Sequence, residues 1–369
     1  MEHHDDGKTM IIELKKDAVE KQKEEELTLT HSSIFPVKAK YASRNPILLV
    51  VIILLLLSVA VFLILSSLGH PGGQPEETTT TKTDPTLDPS HSFSVSGLAE
   101  AEDATYAVKS GFALLIEADS LHALAAKNAN EKMYPASMTK IMTFLVAYDC
   151  LKDDLDKKLV LSQDIRNQYA EGSRIGIDVN DLLTVEQCMY AMLLESDTDA
   201  VLMLVREAAG NEAAFAERMN EKAEELGLTA THFTNANGLH DNEHYTTPAE
   251  MAVIFAKALE NELFHTIVTT HTYVTHLWFY SNGQEKSYRM TFFNRTLVDR
   301  FEKNGIATEL SSGLEIVGGK TGFTDEAKNC QAALAVDELG KQYIAILGHA
   351  SSGAQSAKDT AKLFNQYAK

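Results

Sequence analysis

Residues Ile47 to Leu68 read ILLVVIILLLLSVAVFLILSSL, a run without a single charge. About 20 apolar residues in a helix span the roughly 30 Å of a bilayer's hydrocarbon core. Such a helix satisfies every peptide N–H and C=O internally, which is what lipid demands of any chain that crosses it. The segment 46–68 is therefore expected to be a transmembrane helix, and it divides the chain between two compartments. Lys38, Lys40 and Arg44 precede it, whereas the first cation after it is Lys82, among the acids Glu76, Glu77, Asp84 and Asp88. Cations concentrate on the cytoplasmic flank, so residues 1–45 are expected inside and everything past Gly69 outside, as a single-pass protein of the cell membrane. A cleaved signal peptide is the alternative. Its apolar region is normally shorter and nearer the start than this one, so a retained anchor is the expectation.

Charge narrows the partners. The net charge of −19 argues against nucleic acid, because a phosphate backbone is bound by basic patches that release counterions. It also argues against a domain lying flat on anionic lipid. With 44% apolar and 23% charged residues in 369, the chain can bury a core and has room for one large α/β domain with appendages, or for two domains. Three scattered cysteines, Cys150, Cys188 and Cys330, make no disulfide framework and have no zinc spacing. All three are expected to pack as small hydrophobes.

The polar tail (residues 1–45) carries a charge-dense stretch from Glu13 to Glu26, and its His3–His4 pair has no companion pattern that would make a metal site. Residues 69–100 form a linker: Pro71 to Ser92 reads PGGQPEETTTTKTDPTLDPSHS, a composition that cannot bury enough apolar surface to offset the entropy of ordering. From 101 to 369 the texture is globular. Strands are expected at Tyr106–Val108, Ser110–Ile116, Glu315–Val317, Cys330–Val336 and Tyr343–Gly348, with a hairpin turn at Ala118–Ser120. Helical periodicity is expected at Ser137–Cys150, Val185–Leu194, Ala200–Ala209, Ala213–Leu226, Pro248–Leu259 and Gln355–Tyr367. Strands, a helical middle, then strands and a last helix predict an α/β (α+β) domain in which one sheet packs around an inserted helical lobe.

Three short motifs carry chemistry. In Tyr134-Pro135-Ala136-Ser137-Met138-Thr139-Lys140, Pro135 precedes a helical run whose apolar stripe is Ile141, Phe144, Leu145 and Tyr148. Ser137 then sits at a helix N-terminus, where free N–H groups and the dipole favour developing negative charge. Lys140, three residues on, shares its face and, if buried enough to lose its proton, serves as the base that activates the hydroxyl. The second motif, Glu195-Ser196-Asp197-Thr198-Asp199, places Ser196 on a short loop between two apolar helices, able to relay a proton into a cleft. The third, Gly318-Gly319-Lys320-Thr321-Gly322-Phe323-Thr324, alternates Lys and Thr along a strand edge with glycines that let a ligand backbone come close. Lys320 offers a charge to a carboxylate and Thr321 a hydroxyl. Singly, each also reads as a helix cap or a Gly-rich turn. In this order they match the Ser-x-x-Lys, Ser-x-Asn-like and Lys-Thr-Gly set of penicillin-binding proteins and serine β-lactamases.

The stretches ASMTKIMTFLVAYD, YAMLLESDTDA, THFTNANGLHDNEHYTTPAEMA and GGKTGFTDEAKNCQAALA resemble the low-molecular-mass D-alanyl-D-alanine carboxypeptidases, the S11 serine peptidases, over residues 101–369. The resemblance implies a β-lactamase/transpeptidase-like fold: a five-stranded, mostly antiparallel sheet flanked by helices, with the site between it and a helical subdomain. It implies Ser137 as nucleophile on a peptidoglycan stem peptide ending in D-Ala-D-Ala, Lys140 as its base and Ser196 as proton relay. Lys320 and Thr321 would hold the terminal carboxylate, and Thr198, Gly322 and Phe323 would complete the substrate site. The oxyanion would lie between the N–H groups of Ser137 and Phe323. Neither metal nor cofactor is implied, and β-lactams would acylate the same serine. Where the family has Asn third in the second motif, this chain has Thr198, which lacks the paired donor and acceptor of an amide. The chain ends soon after this domain, so the further β-rich domain and C-terminal amphipathic anchor of many relatives are expected to be missing, their anchoring role passing to the N-terminal helix.

Three other functions compete. A β-lactamase would need a glutamate for its deacylating water, and THFTNANGL contains none. A catalytically impaired module that binds peptidoglycan or β-lactam is motivated by Thr198. A transpeptidase or endopeptidase needs only a different acceptor or substrate on the same scaffold. A zinc peptidase is disfavoured because His232, His240 and His244 lack helical ligand spacing, and His232 is expected to be structural.

Overall fold

The structure, a computed structural model, describes residues 93–368. The polar tail, the apolar segment 46–68 and most of the linker lie outside the described residues. Among the described residues no helix is long and apolar enough to cross a membrane.

Six strands make the main sheet: β1 (Glu102–Asp103), β2 (Phe112–Glu117), β3 (Ala123–Lys127), β8 (Glu315–Thr324), β9 (Lys328–Val336) and β10 (Gln342–Ala350), in the order β1-β3-β2-β10-β9-β8. All pairs are antiparallel except the two-residue β1 on β3. The strands read as unbroken apolar runs because the sheet is covered on both sides. Alternate residues serve opposite faces: Leu114, Ile116, Leu334, Ile344 and Ile346 join one core, while Ala113, Leu115, Ala333, Tyr343, Ala345 and Leu347 join a second.

The second core is closed by the last helix (Gly353–Tyr367), through Leu363 and Phe364, and by Leu297 and Phe301 of the helical turn Thr296–Phe301. The first core holds the helical layer: α1 (Lys140–Leu151), α3 (Val185–Leu194), α4 (Thr198–Ala209), α5 (Glu212–Glu225), α6 (Pro248–Leu259) and α7 (Glu262–Thr269), with α2 (Gln163–Arg166) a single turn between α1 and α3. Their starts are written locally. Thr184 and Gln187 form a capping box for α3, and Asp197, Asn211, Thr247 and Asn261 cap α4 to α7 through their side chains.

The expected helices Val185–Leu194 and Pro248–Leu259 are found with those bounds. Other expectations are corrected. Tyr106–Val108 is a turn, with Ala107 and Val108 N–H both donating to Ala104 O. The five strands of the resemblance gain β1 as a sixth, and a second antiparallel sheet is present: β4 (Lys158–Val160), β5 (Leu182–Thr184), β6 (Thr272–Ser281) and β7 (Gln284–Phe293), ordered β4-β5-β6-β7. Its long hairpin turns at Asn282-Gly283, both with positive φ, the two-residue turn whose twist suits flanking strands. Residues 93–100, part of the compositional linker, pack on the domain: Phe93, Val95 and Leu98 touch the first core, and Ser96 bridges to His122. Cys188 and Cys330 are buried as expected, but Cys150 is exposed, its Sγ 3.1 Å from Arg218 Nη1 at the solvent end of α1.

Candidate active site

The chain reaches Ser137 through a strained turn. Ala136 has φ +47°, a conformation non-glycine residues rarely adopt, and a 3₁₀ turn (Ala136–Thr139) then runs directly into α1. That turn sets Ser137 at the head of the helix and Lys140 one turn on, with Nζ 3.1 Å from Ser137 Oγ. Lys140 is 2% exposed. Burial drives its pKa down to about 7, only partly offset by the Asp197 carboxylate, so the amine loses its proton near neutrality. Its Nζ also donates to Asn237 O at 2.7 Å, which fixes the amine beside the hydroxyl.

The second motif connects α3 to α4. Ser196 has φ +62°, a further strained residue of the kind that clusters at functional sites. Asp197 caps α4 and is fully buried. Desolvation raises its pKa to about 6, against the hydrogen bonds from Ala200 N and Ile175 N. Asp199, with no solvent exposure, pairs with Arg166 and Arg174. These two acids pin the segment 166–175 across the motif, where Thr198 N–H donates to Ser173 O at 2.8 Å. Gly172 lies so close that a Cβ there would sit 2.2 Å from Thr198 Oγ1.

The third motif lies on β8, the outer strand of the main sheet. A Cβ on Gly322 would stand 2.9 Å from Pro135 O and 3.0 Å from Ser137 N, so only glycine lets the strand come this close to the nucleophile's N–H. Between β8, the Ser137 turn and the second motif opens a cleft of about 430 Å³, lined by Ser137, Lys140, Ser196, Thr198, Thr321, Gly322 and Phe323. Lys320 is not among its lining residues. It is 1% exposed, its Nζ donates to Thr321 O at 3.0 Å, and burial, with Lys140, Arg300 and Arg295 nearby, holds its pKa well below the ordinary value.

Other lining residues were not singled out by sequence. Arg295 is paired with Glu195 and Asp299. Arg300 has no acidic partner among the described residues: its guanidinium donates to Asn329 Oδ1 at 2.7 Å and to Gly322 O at 3.3 Å. Neither arginine has a local signal, since both follow a hairpin that only the Asn282-Gly283 turn announces. Asn237 lies within the motif THFTNANGL, and nothing in that motif marks which of its side chains faces the cleft. His244 serves this loop structurally: Thr234 N–H donates to its Nδ1 at 3.1 Å, so Nε2 carries the hydrogen toward Thr139 Oγ1 at 2.8 Å. Burial keeps it neutral, with a pKa down at about 3. His232 contacts main chain, its Nδ1 2.6 Å from Glu243 O. Among the described residues no group of three His, Cys, Asp or Glu is placed to hold a metal ion.

The chain is similar to known proteins in sequence and in fold. The family model for D-alanyl-D-alanine carboxypeptidases of the S11 peptidases matches residues 98–351. The chain is 32% identical over 263 residues to D-alanyl-D-alanine carboxypeptidase DacF of Bacillus subtilis, covering 69% of this chain and 62% of that protein. It is 30% identical to the D-alanyl-D-alanine carboxypeptidase of Streptomyces sp. strain K15, covering 66% and 81%. The crystal structure of the Streptomyces K15 DD-transpeptidase superposes with a TM-score of 0.60 at 26% identity, over 70% of this chain and 96% of that one. Penicillin-binding protein 5 of Haemophilus influenzae shares the fold, with a TM-score of 0.57 at 24% identity over 70% of each. With the family model covering most of the described domain and the three motifs meeting in one cleft, the chain belongs to the S11 family of D-alanyl-D-alanine carboxypeptidases.

Proposed function

We propose that the protein removes the terminal D-Ala from peptidoglycan stem peptides ending in D-Ala-D-Ala, through an acyl-enzyme on Ser137 that β-lactams also form. The observation that carries this reading is the 3.1 Å approach of Lys140 Nζ to Ser137 Oγ, with an amine that burial holds near pKa 7. Ser137 Oγ attacks the carbonyl between the two D-Ala residues while its proton passes to Lys140. The C–N bond breaks as Ser196 delivers that proton to the departing amine, and water then cleaves the ester, returning Ser137. The N–H groups of Ser137 and Phe323 stabilise the oxyanion. For the terminal carboxylate, Thr321 supplies a hydroxyl and Arg300 the charge, because Arg300 lines the cleft without an acid partner among the described residues, whereas Lys320 is buried and does not line it.

The membrane placement rests on sequence: residues 47–68 anchor the chain, residues 1–45 lie in the cytoplasm and the catalytic domain works outside. External protease added to intact spheroplasts should digest the domain and spare the tail. Protection of the domain would reverse the orientation.

The chemical reading is tested by mass spectrometry of the full chain in detergent after incubation with benzylpenicillin, beside Ser137→Ala. A penicilloyl adduct on Ser137, absent in the variant, supports it, and a folded protein that takes no adduct refutes it. Release of D-Ala from a stem pentapeptide then separates a peptidase from a module that acylates without turnover. The latter is the second reading, favoured by Thr198, whose hydroxyl lies against Gly172.

A further inference from the structure

Asn237 is 2% exposed, and neither its Oδ1 nor its Nδ2 has a hydrogen-bond partner among the described residues. Nearly all buried amides are paired, because each unmet donor or acceptor costs its desolvation. An exception in a rigid loop marks a place where a partner arrives. The loop is rigid: Asn235 Oδ1 accepts from the N–H groups of Asn237, Gly238 and Leu239 at 3.1, 2.8 and 3.1 Å. Gly238 packs so tightly on the Ser137 turn that a Cβ would stand 1.9 Å from Ala136 O. Thr143 Oγ1 donates to Ala236 O at 2.7 Å, and Lys140 Nζ to Asn237 O at 2.7 Å. All of these bonds use the loop's main chain or Asn235, so the Asn237 carboxamide is held with its own hydrogen bonds unmade just beneath the surface of the cleft, which Asn237 lines together with Ser137 and Ser196.

Across that cleft the second motif lacks an amide. Thr198 is 1% exposed, and its Oγ1 lies against the Cα of Gly172, which leaves little room at position 198 for a longer side chain. We infer that Asn237 supplies the donor and acceptor pair that reads a substrate amide in this chain. It would hydrogen-bond the N–H and C=O of the peptide bond preceding the terminal D-Ala-D-Ala, and the acylamino group of a penicillin in the same way. This rests on the proposed acyl-enzyme chemistry and deepens it by naming a substrate-binding residue.

The test pairs a variant with a ligand that lacks the amide. Asn237→Leu keeps the volume of the side chain and removes both polar atoms. The full chain in detergent is acylated by benzylpenicillin or by 6-aminopenicillanic acid, which has an amine where benzylpenicillin has an acylamino group, and its melting is followed alongside. The expected result is a loss of roughly 10- to 100-fold in the acylation rate constant with benzylpenicillin, the worth of two hydrogen bonds. The loss with 6-aminopenicillanic acid should be under about threefold, and the melting temperature should not fall, since an unpartnered amide contributes nothing to the fold. Equal losses with both ligands, or no loss with either, overturn the inference while leaving the acyl-enzyme intact. A lower melting temperature with an unchanged ratio between the ligands assigns Asn237 to the fold and also overturns it. If the unmodified chain takes no adduct at all, it is the underlying reaction that fails, and this inference with it.

Discussion

Lys140 determines when Ser137 can react. Below about pH 7 the buried amine holds its proton and cannot accept another; above it the neutral amine is the competent base. The rate of acylation by a fluorescent penicillin should therefore rise with pH through about 7 and level off at higher pH. A rate constant flat from pH 5 to 9 would remove Lys140 from the role of base. Lys140→Met, with similar length and no amine, should acylate slower by on the order of 10²–10⁴-fold, the usual worth of a positioned base. Ser137 and Lys140 were both legible as a pair because three residues on a helix fix a common face whatever the rest of the fold does. Lys320 was not legible in the same way. A strand alternates its side chains between faces, so Lys320 and Thr321 point to opposite sides, and only the packing of β8 decides how far each is covered. Lys320 shares the face of Gly322, which packs on the Ser137 turn, and is buried there, whereas Thr321 is half-buried and lines the cleft.

Two elements close on the nucleophile and each can be perturbed separately. Gly322→Ala adds a Cβ 3.0 Å from Ser137 N, which must push β8 off the turn. Displacements near 1 Å cost about 10²-fold in positioned reactions, so acylation should fall by about that factor. Stopped-flow acylation at saturating penicillin checks this, and an unchanged rate would mean that the strand does not border the oxyanion. The segment 166–175 is held to α4 by the Arg166–Asp199–Arg174 pairs, at 3.1 and 3.2 Å. Asp199→Asn should lower stability by about 2 kcal/mol, below the roughly 3–5 kcal/mol of fully buried pairs because both guanidiniums reach solvent. Trypsin should then cut at Arg166 or Arg174 well before the rest of the domain. A cleavage pattern like the parent's would show that other contacts hold the segment. The helices around these elements were legible because their caps are local. The β6–β7 hairpin was missed although Asn282-Gly283 announces it, since its strands carry polar residues on both faces and give no apolar alternation.

At the scale of the molecule, both cores are built from residues of the described domain, and its contacts cluster into one unit. A chain lacking residues 1–82 should fold and be acylated at the same rate as the full chain, read by the same penicillin assay; loss of acylation in a folded truncated chain would give the N-terminal region a part in the site. By itself the sequence determined the apolar run, the order of the three motifs, the Ser137–Lys140 pair and most helix bounds, because period, spacing and caps are properties of neighbouring residues. Only the tertiary structure decided that Lys320 is buried while Arg300 lines the cleft, that Gly172 crowds Thr198, and that Asn237 stands unpartnered in the wall. Those facts depend on which surfaces meet across contacts between residues far apart in the chain, and on the loss of water there, and local sequence carries neither.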